Sequence, residues 1–242
     1  MIIRSFRALL VLVFVFTSSA YAQSSMPAPA APIIGAKSYL VVDATTGKEL
    51  ASLDPDTPLA PASLTKIMTT YVVFTALKQG QISLEDEVTI SEKAWRMPGS
   101  RMFVEVGNRV AIKDLLLGMI VQSGNDASVA LAEHIAGTEG VFAQMMNQYA
   151  QQLGMLSSNF LNATGMPAEG HVTTARDLAT LARALIKEFP EHYAWHAIKE
   201  FTYNDIKQDN RNSLLWRDPS VDGLKTGHTE DAGYCLVAAA LR

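Results

Sequence analysis

Three short groups of polar residues have the types and local spacing that nucleophilic chemistry asks for: Ser63-Leu64-Thr65-Lys66, Ser123-Gly124-Asn125 and Lys225-Thr226-Gly227. A serine hydroxyl is a weak nucleophile until a base takes its proton, and side chains three positions apart on a helix share a face, so Lys66 can reach Ser63. Lysine is a base only when neutral, which takes burial or a neighbouring positive charge. Lys225, brought in from the distant third group, is a source of that charge. Ser63 at a helix start also has free backbone N–H groups and a positive dipole end beside it, which suit a developing oxyanion. Activity resting on such a base is expected to rise toward alkaline pH as Lys66 loses its proton.

Each group alone has a plainer explanation. Ser63 and Lys66 fit a helix-start serine with a solvated lysine, and Ser123-Gly124-Asn125 fits a loop whose Asn or Asp caps a helix over 127–136. Lys225-Thr226-Gly227 fits a polar strand end, although a Gly inside a strand pattern marks close approach by another backbone, for which a peptide substrate qualifies. A second Ser-x-Asn, Ser157-Ser158-Asn159, shows how cheaply one such group arises. The three together, in this order, carry the reading. Other candidates fall away. His192 and His196 are four apart, but Tyr193 stands where a zinc-peptidase helix carries Glu, so they read as structural and no metal site is expected. Thr46-Gly47-Lys48 lacks the upstream glycine of a phosphate loop.

The elements that must position these groups follow from periodicity. Runs 38–43 and 48–53, separated by Ala44-Thr45-Thr46-Gly47, predict an opening hairpin. The pattern turns helical over 63–79 with Gly80 as a stop, and again over 112–121, 127–136, 140–153 and 174–187. Strand character returns at 201–203 and over 234–241. Strands at both ends around a helical middle predict one sheet assembled from distant segments with a helical subdomain inserted, an α+β fold.

The first 22 residues read as a secretory signal: Arg4 and Arg7, an apolar run over 8–16 too short to span a bilayer, then Ala20-Tyr21-Ala22 at the cleavage positions. Residues 23–34, rich in Pro, Ala and Ser, read as an extended leader, leaving 35–242 as the catalytic domain. With 48% hydrophobic residues in 242, the chain has material for a sizeable core. The net charge of -4 becomes more acidic once the signal is gone, which argues against nucleic acid as a partner. The single cysteine, Cys235, excludes an intrachain disulfide and reads as a small buried hydrophobe.

From residue 34 to 242, and most specifically at 61–66, 122–127, 173–178 and 221–233 (VDGLKTGHTEDAG), the chain resembles the low-molecular-mass penicillin-binding D-alanyl-D-alanine carboxypeptidases. That resemblance implies a three-layer sandwich of the D,D-peptidase and β-lactamase type, with a mainly antiparallel sheet flanked by helices and an all-α insert. It makes Ser63 the acylated nucleophile, Lys66 its base and Ser123 the proton relay to the leaving D-alanine. Asn125 would hold the substrate amide, Lys225, Thr226 and Gly227 the strand beside the terminal carboxylate, and the N–H groups of Ser63 and His228 the oxyanion. Arg211 would lie on the carboxylate side. Peptidoglycan stem peptides and β-lactams are the implied ligands, with no cofactor and no metal. The implied location is the periplasm, at the outer face of the inner membrane, with membrane contact only through an anchor beyond Arg242. The family pattern continues past that residue through a further strand and helix, so the resemblance implies a catalytic domain lacking both. The open edge of strand 234–241 then leads to an expectation of poor solubility.

The nearest rival enzyme, a class A β-lactamase, requires a Glu to activate the deacylating water. Glu169 has about the right order in the chain, but Gly170-His171-Val172-Thr173 supply no partner Asn, and Gly124 stands where that class has Asp. A D,D-endopeptidase is closer, with Gly124 and His228 leaning to the carboxypeptidase group by resemblance. A non-catalytic wall-binding protein is the reading from another class.

Overall fold

The computed structural model describes residues 33–241. The signal segment 1–22 and the leader through residue 32 lie outside the described residues. Gly35–Arg242 forms one compact unit. Its elements run β1 (Tyr39–Val42), β2 (Glu49–Leu53), a 3-10 turn (Ala62–Leu64), α1 (Thr65–Lys78), β3 (Glu87–Thr89), α2 (Glu92–Trp95), β4 (Arg109–Ala111), α3 (Ile112–Val121), α4 (Asn125–Ala136), α5 (Glu139–Leu153) and α6 (Ala175–Glu188). Then come α7 (Pro190–Tyr193), a second 3-10 turn (Ala194–Ala197), β5 (Glu200–Tyr203), β6 (Ile206–Asp209), α8 (Leu214–Arg217), β7 (Val221–Thr229) and β8 (Gly233–Ala240).

The class is α+β as expected, and every strand pair is antiparallel. The single sheet is not what forms. Among the described residues the strands make four separate two-stranded ladders, β1-β2, β3-β4, β5-β6 and β7-β8. Period-two alternation says which face of a strand is buried but not which strand lies at its edge. In β8 that alternation is clear: Cys235, Val237 and Ala239 pack on the core, whereas Tyr234 and Leu236 face outward.

The helices form because their ends are capped and their faces buried. Thr138 accepts from Val141 N at 3.2 Å to start α5, and Thr174 accepts from Asp177 N at 3.0 Å to start α6. At the far end of α1, Gly80 takes a φ of +68°, and Gln81 N donates back to Ala76 O at 3.0 Å. α1 itself is buried on almost every side from Thr65 to Phe74. A helix buried on almost every side has to run through the middle of a core, and here it carries Thr65, Lys66, Thr69 and Thr70 in with its apolar residues. α3, α4, α5 and α6 surround it in one hydrophobic cluster.

Phe74 anchors that cluster with no exposed surface, its ring 5.8 Å from Phe189, 4.9 Å from His192 and 6.4 Å from Trp195. His192 therefore serves packing, as expected. Phe74→Ala is expected to lower the unfolding free energy by about 3–5 kcal/mol, read by urea titration of the folded chain.

Candidate active site

The periodicity predicts Ser63 as the first residue of an α-helix, and the structure sets it just before one. Ser63 is in the 3-10 turn Ala62–Leu64, and the α-helix begins at Thr65. The turn is tight because Ala62 holds a φ of +47°, a costly conformation for a residue with a Cβ. Thr65 is fixed below it by His171, whose Nε2 is 2.9 Å from Thr65 Oγ1. Leu161 N donates to Nδ1 of the same ring at 3.3 Å, so the proton is on Nε2. Burial keeps this histidine neutral, with its pKa down at about 4.

Lys66, 1% exposed, extends back along the helix to place Nζ 3.1 Å from Ser63 Oγ. The same nitrogen is 2.7 Å from Asn125 Oδ1 and 2.7 Å from the Thr164 carbonyl. An ammonium would donate to all three. A neutral amine would donate to Asn125 and Thr164 and accept the Ser63 hydroxyl proton on its lone pair. Burial, then the Lys225 ammonium, and more weakly Arg211, hold Lys66 well below the usual lysine range, against the Asp126 carboxylate, which pulls it up.

The second group sits between α3 and α4. Ser123 is buried with a φ of +67°, and Asn125 is the first residue of α4. Neither Asn125 nor Asp126 caps that helix, as the plainer reading had it; Gly124 is the N-cap residue. Asn125 instead bridges the site, accepting from Lys66 and donating from Nδ2 to Pro98 O at 2.7 Å. The buried Asp126 accepts from the N–H groups of Met102, Phe103 and Val104 at 3.0, 2.9 and 3.3 Å, and so holds the 98–104 loop against α4.

The third group lies on β7. Lys225 is 3% exposed and donates from Nζ to Thr226 O at 2.9 Å. Burial first, then Arg211, bring its pKa down to about 7. Gly227 is approached closely by the chain's own backbone: a Cβ there would stand 3.1 Å from Ser63 N and 3.3 Å from Leu64 N. The glycine lets β7 pack on the Ser63 turn. His228 is exposed, with its ring 4.3 Å from that of Tyr234.

A cleft of about 630 Å³ is lined by Ser63, Ser123, Asn125, Arg211, Thr226, Gly227 and His228, with Lys66 and Lys225 buried behind them. Cys235 also borders it, half-buried, its thiol pushed up by burial and so protonated. His196, by contrast, is buried behind β7, with Nδ1 3.3 Å from Leu224 O. Two participants escaped the sequence reading. Thr164 acts through a carbonyl, which no side-chain motif records, although Asn162-Ala163-Thr164-Gly165 has the composition of a turn. Asp126 stands beside a motif, but its partners lie in a loop the motif does not touch.

Comparison with known proteins places this geometry in a family. The profile of the D-alanyl-D-alanine carboxypeptidases, peptidase family S11, matches residues 25–242. The chain belongs to that family. It is 47% identical over 234 residues to the D-alanyl-D-alanine carboxypeptidase DacC of Escherichia coli, covering 94% of this chain and 58% of that protein. The structure of penicillin binding protein 5 from Haemophilus influenzae superposes with a TM-score of 0.86 at 47% identity, over 88% of this chain and 63% of that one. Penicillin-Binding Protein D2 from Listeria monocytogenes, solved in its ampicillin-bound form, gives 0.77 at 30% identity, over 86% and 85%. The chain thus spans less than two thirds of DacC and of penicillin binding protein 5.

The two buried lysines set a pH dependence. The base form of Lys66 appears as pH rises through its depressed titration, and the Lys225 charge is lost as pH rises through about 7. Acylation by a carboxylate-bearing β-lactam is therefore expected to follow a bell, with apparent values that belong to the pair. Stability changes in the same sense as for a carboxylate whose pKa folding depresses, only at higher pH. A lysine buried at about 7 but free at 10.5 leaves the unfolded chain holding more protons between those values, so stability rises with pH across that window. Lys225→Met is expected to flatten this rise in thermal melts and to raise the melting temperature at pH 7.

Proposed function

We propose that the chain is the catalytic part of an exported serine D-alanyl-D-alanine carboxypeptidase, acting in the periplasm on peptidoglycan stem peptides and acylated covalently by β-lactams. The observation that carries this reading is the Lys66 amine, buried 3.1 Å from Ser63 Oγ with two further acceptors already in place. Neutral Lys66 takes the Ser63 proton as Oγ bonds to the carbonyl carbon of the penultimate D-alanine. The negative charge on that carbonyl oxygen is met by the N–H groups of Ser63 and His228. The C–N bond then breaks, the terminal D-alanine leaves with a proton relayed through Ser123, and water later hydrolyses the ester. Asn125 orients the substrate amide, and Lys225, Thr226 and Arg211 receive the terminal carboxylate. No helix among the described residues is long and apolar enough to cross a membrane.

The β-lactamase alternative draws no support from Glu169. That residue borders a neighbouring cavity of about 290 Å³ together with His171 and Asp231, and Ser63 is not part of its wall. That lining sets the carboxylate on the neighbouring cavity, apart from the cleft that Ser63 borders, so a long-lived acyl-enzyme is expected. The test is labelling with a fluorescent penicillin alongside release of D-alanine from a D-alanyl-D-alanine peptide. Ser63→Ala should abolish the covalent band and lower peptide turnover at least about 1,000-fold while keeping the parent melting curve. A band that survives in Ser63→Ala, or one that the parent loses within seconds, would overturn the assignment.

A further inference from the structure

The turn that presents the Thr164 carbonyl to Lys66 is held from inside by one half-buried side chain. Asn162 Oδ1 accepts from Thr164 N at 3.1 Å, Thr164 Oγ1 at 3.0 Å and Gly165 N at 2.7 Å, while Asn162 Nδ2 donates to Met166 O at 2.9 Å. From outside, Thr69 Oγ1 donates to Ala163 O at 2.7 Å, and Ala163 N donates to Glu139 Oε1 at 3.0 Å. The other Glu139 oxygen is paired with Lys93 at 2.7 Å. On its far side the turn meets the nucleophile: Gly165, at a φ of +83°, packs so tightly on the Ala62 carbonyl that any Cβ there would collide with it. One short segment therefore touches the base and the turn that carries the serine.

We infer that Asn162 is a positioning residue of the acylation step, fixing the Thr164 carbonyl so that it takes one Lys66 N–H and leaves the amine lone pair for the Ser63 proton. This rests on the acyl-transfer reading above and concerns how the base is aimed. A neutral amine has two N–H bonds and one lone pair. With Asn125 Oδ1 and Thr164 O both 2.7 Å from Nζ, the two N–H directions are set, and tetrahedral geometry then aims the lone pair at Ser63 Oγ. A loosened turn frees one N–H direction and admits water beside the amine. Hydration favours the ammonium, so Lys66 would hold its proton to higher pH. The charged groups around the amine are Lys225 from β7, Asp126 from α4 and Arg211 from the segment between β6 and α8, with Glu139 and Lys93 beyond the turn and neutral His171 under Thr65. Asn162 is uncharged, so altering it shifts none of these directly.

The test compares the full chain with Asn162→Ala and Asn162→Ser, since a serine hydroxyl can still accept from N–H groups further along the turn. Acylation by a fluorescent penicillin is timed across pH, below the melting temperature of each variant. Asn162→Ala is expected to slow saturating acylation by roughly 10- to 100-fold and to move the acidic limb to higher pH, with the half-saturating penicillin concentration unchanged. Asn162→Ser should recover most of the rate. An Asn162→Ala protein that melts earlier yet acylates within about twofold of the parent on the same acidic limb would reduce Asn162 to a structural role and overturn the inference. A serine variant no better than alanine would also overturn it. If Asn162→Ala does not fold, Thr69→Val, which releases the turn from outside, must show the displaced limb, and an unmoved limb overturns the inference. A parent that takes up no label at any pH overturns the acyl-transfer reading and this inference with it, whereas a labelled parent with unaltered variants overturns this inference alone.

Discussion

A lysine amine buried beside a serine, with its hydrogen-bond acceptors fixed, is the constraint on which the rest of this structure depends. An exposed lysine keeps its proton near neutral pH and cannot take another from a hydroxyl. Burial removes the water that stabilises the ammonium, and the charges of Lys225 and Arg211 add to that effect. The Asp126 carboxylate works against them. That acid is itself engaged by three backbone N–H groups of the 102–104 segment, and those bonds spread its charge over the loop. Asp126 therefore holds the 102–104 segment against α4 without forming an ion pair with Lys66.

Burying the amine requires elements far apart in the chain to meet within a few ångströms, and that meeting is made where side chains are missing or backbone is strained. Gly227 brings β7 onto the Ser63 turn, and Gly165 brings the 162–166 segment onto the Ala62 carbonyl. Ala62 and Ser123 both hold positive φ at the two serine-bearing turns. Such conformations cost of order 1–3 kcal/mol each and persist only where the surroundings enforce them. Here the surroundings are α1, buried almost all round, and the cluster of helices packed on it. The core is thus what keeps the strained turns in place.

The same distinction explains what could be read from the residues alone. Helix periodicity, caps and glycine stops are local, and α1, α3, α5 and α6 fall within a residue or two of their expected limits. The hairpin β1-β2 and the strand β8 were equally legible, because their alternation and turn residues are local as well. The single sheet was not, since edge pairing is decided between segments and no pattern within β1 or β8 names a partner. The short strands β3 and β4 carry too few residues to show alternation. In the site, Ser63, Lys66, Asn125 and Lys225 stood out because their chemistry is in their side chains. Thr164 did not, because its contribution is a carbonyl that every residue possesses, and Gly227 showed its need for closeness but not that the Ser63 and Leu64 backbone is the neighbour.

The two lysines also show how one environment can assign different tasks to the same residue type. Lys66 is surrounded by neutral dipoles, an amide oxygen and a carbonyl, that a neutral amine satisfies as well as an ammonium does. Lys225 has Thr226 O on one side and the Arg211 charge nearby, behind the wall of a cleft that Arg211 itself borders. Like charges held close do not both persist, so a proton lost from one lysine makes it easier for the other to keep its own. In the proposed reaction the substrate brings a carboxylate to the Lys225 and Arg211 side. That anion favours the charged form of Lys225, and the charge on Lys225 in turn disfavours the charged form of Lys66. The anion's own charge also acts on Lys66, so in that reaction the balance between its attraction and the Lys225 repulsion sets the protonation of the buried amine. In water, screening would erase the repulsion that connects the two lysines.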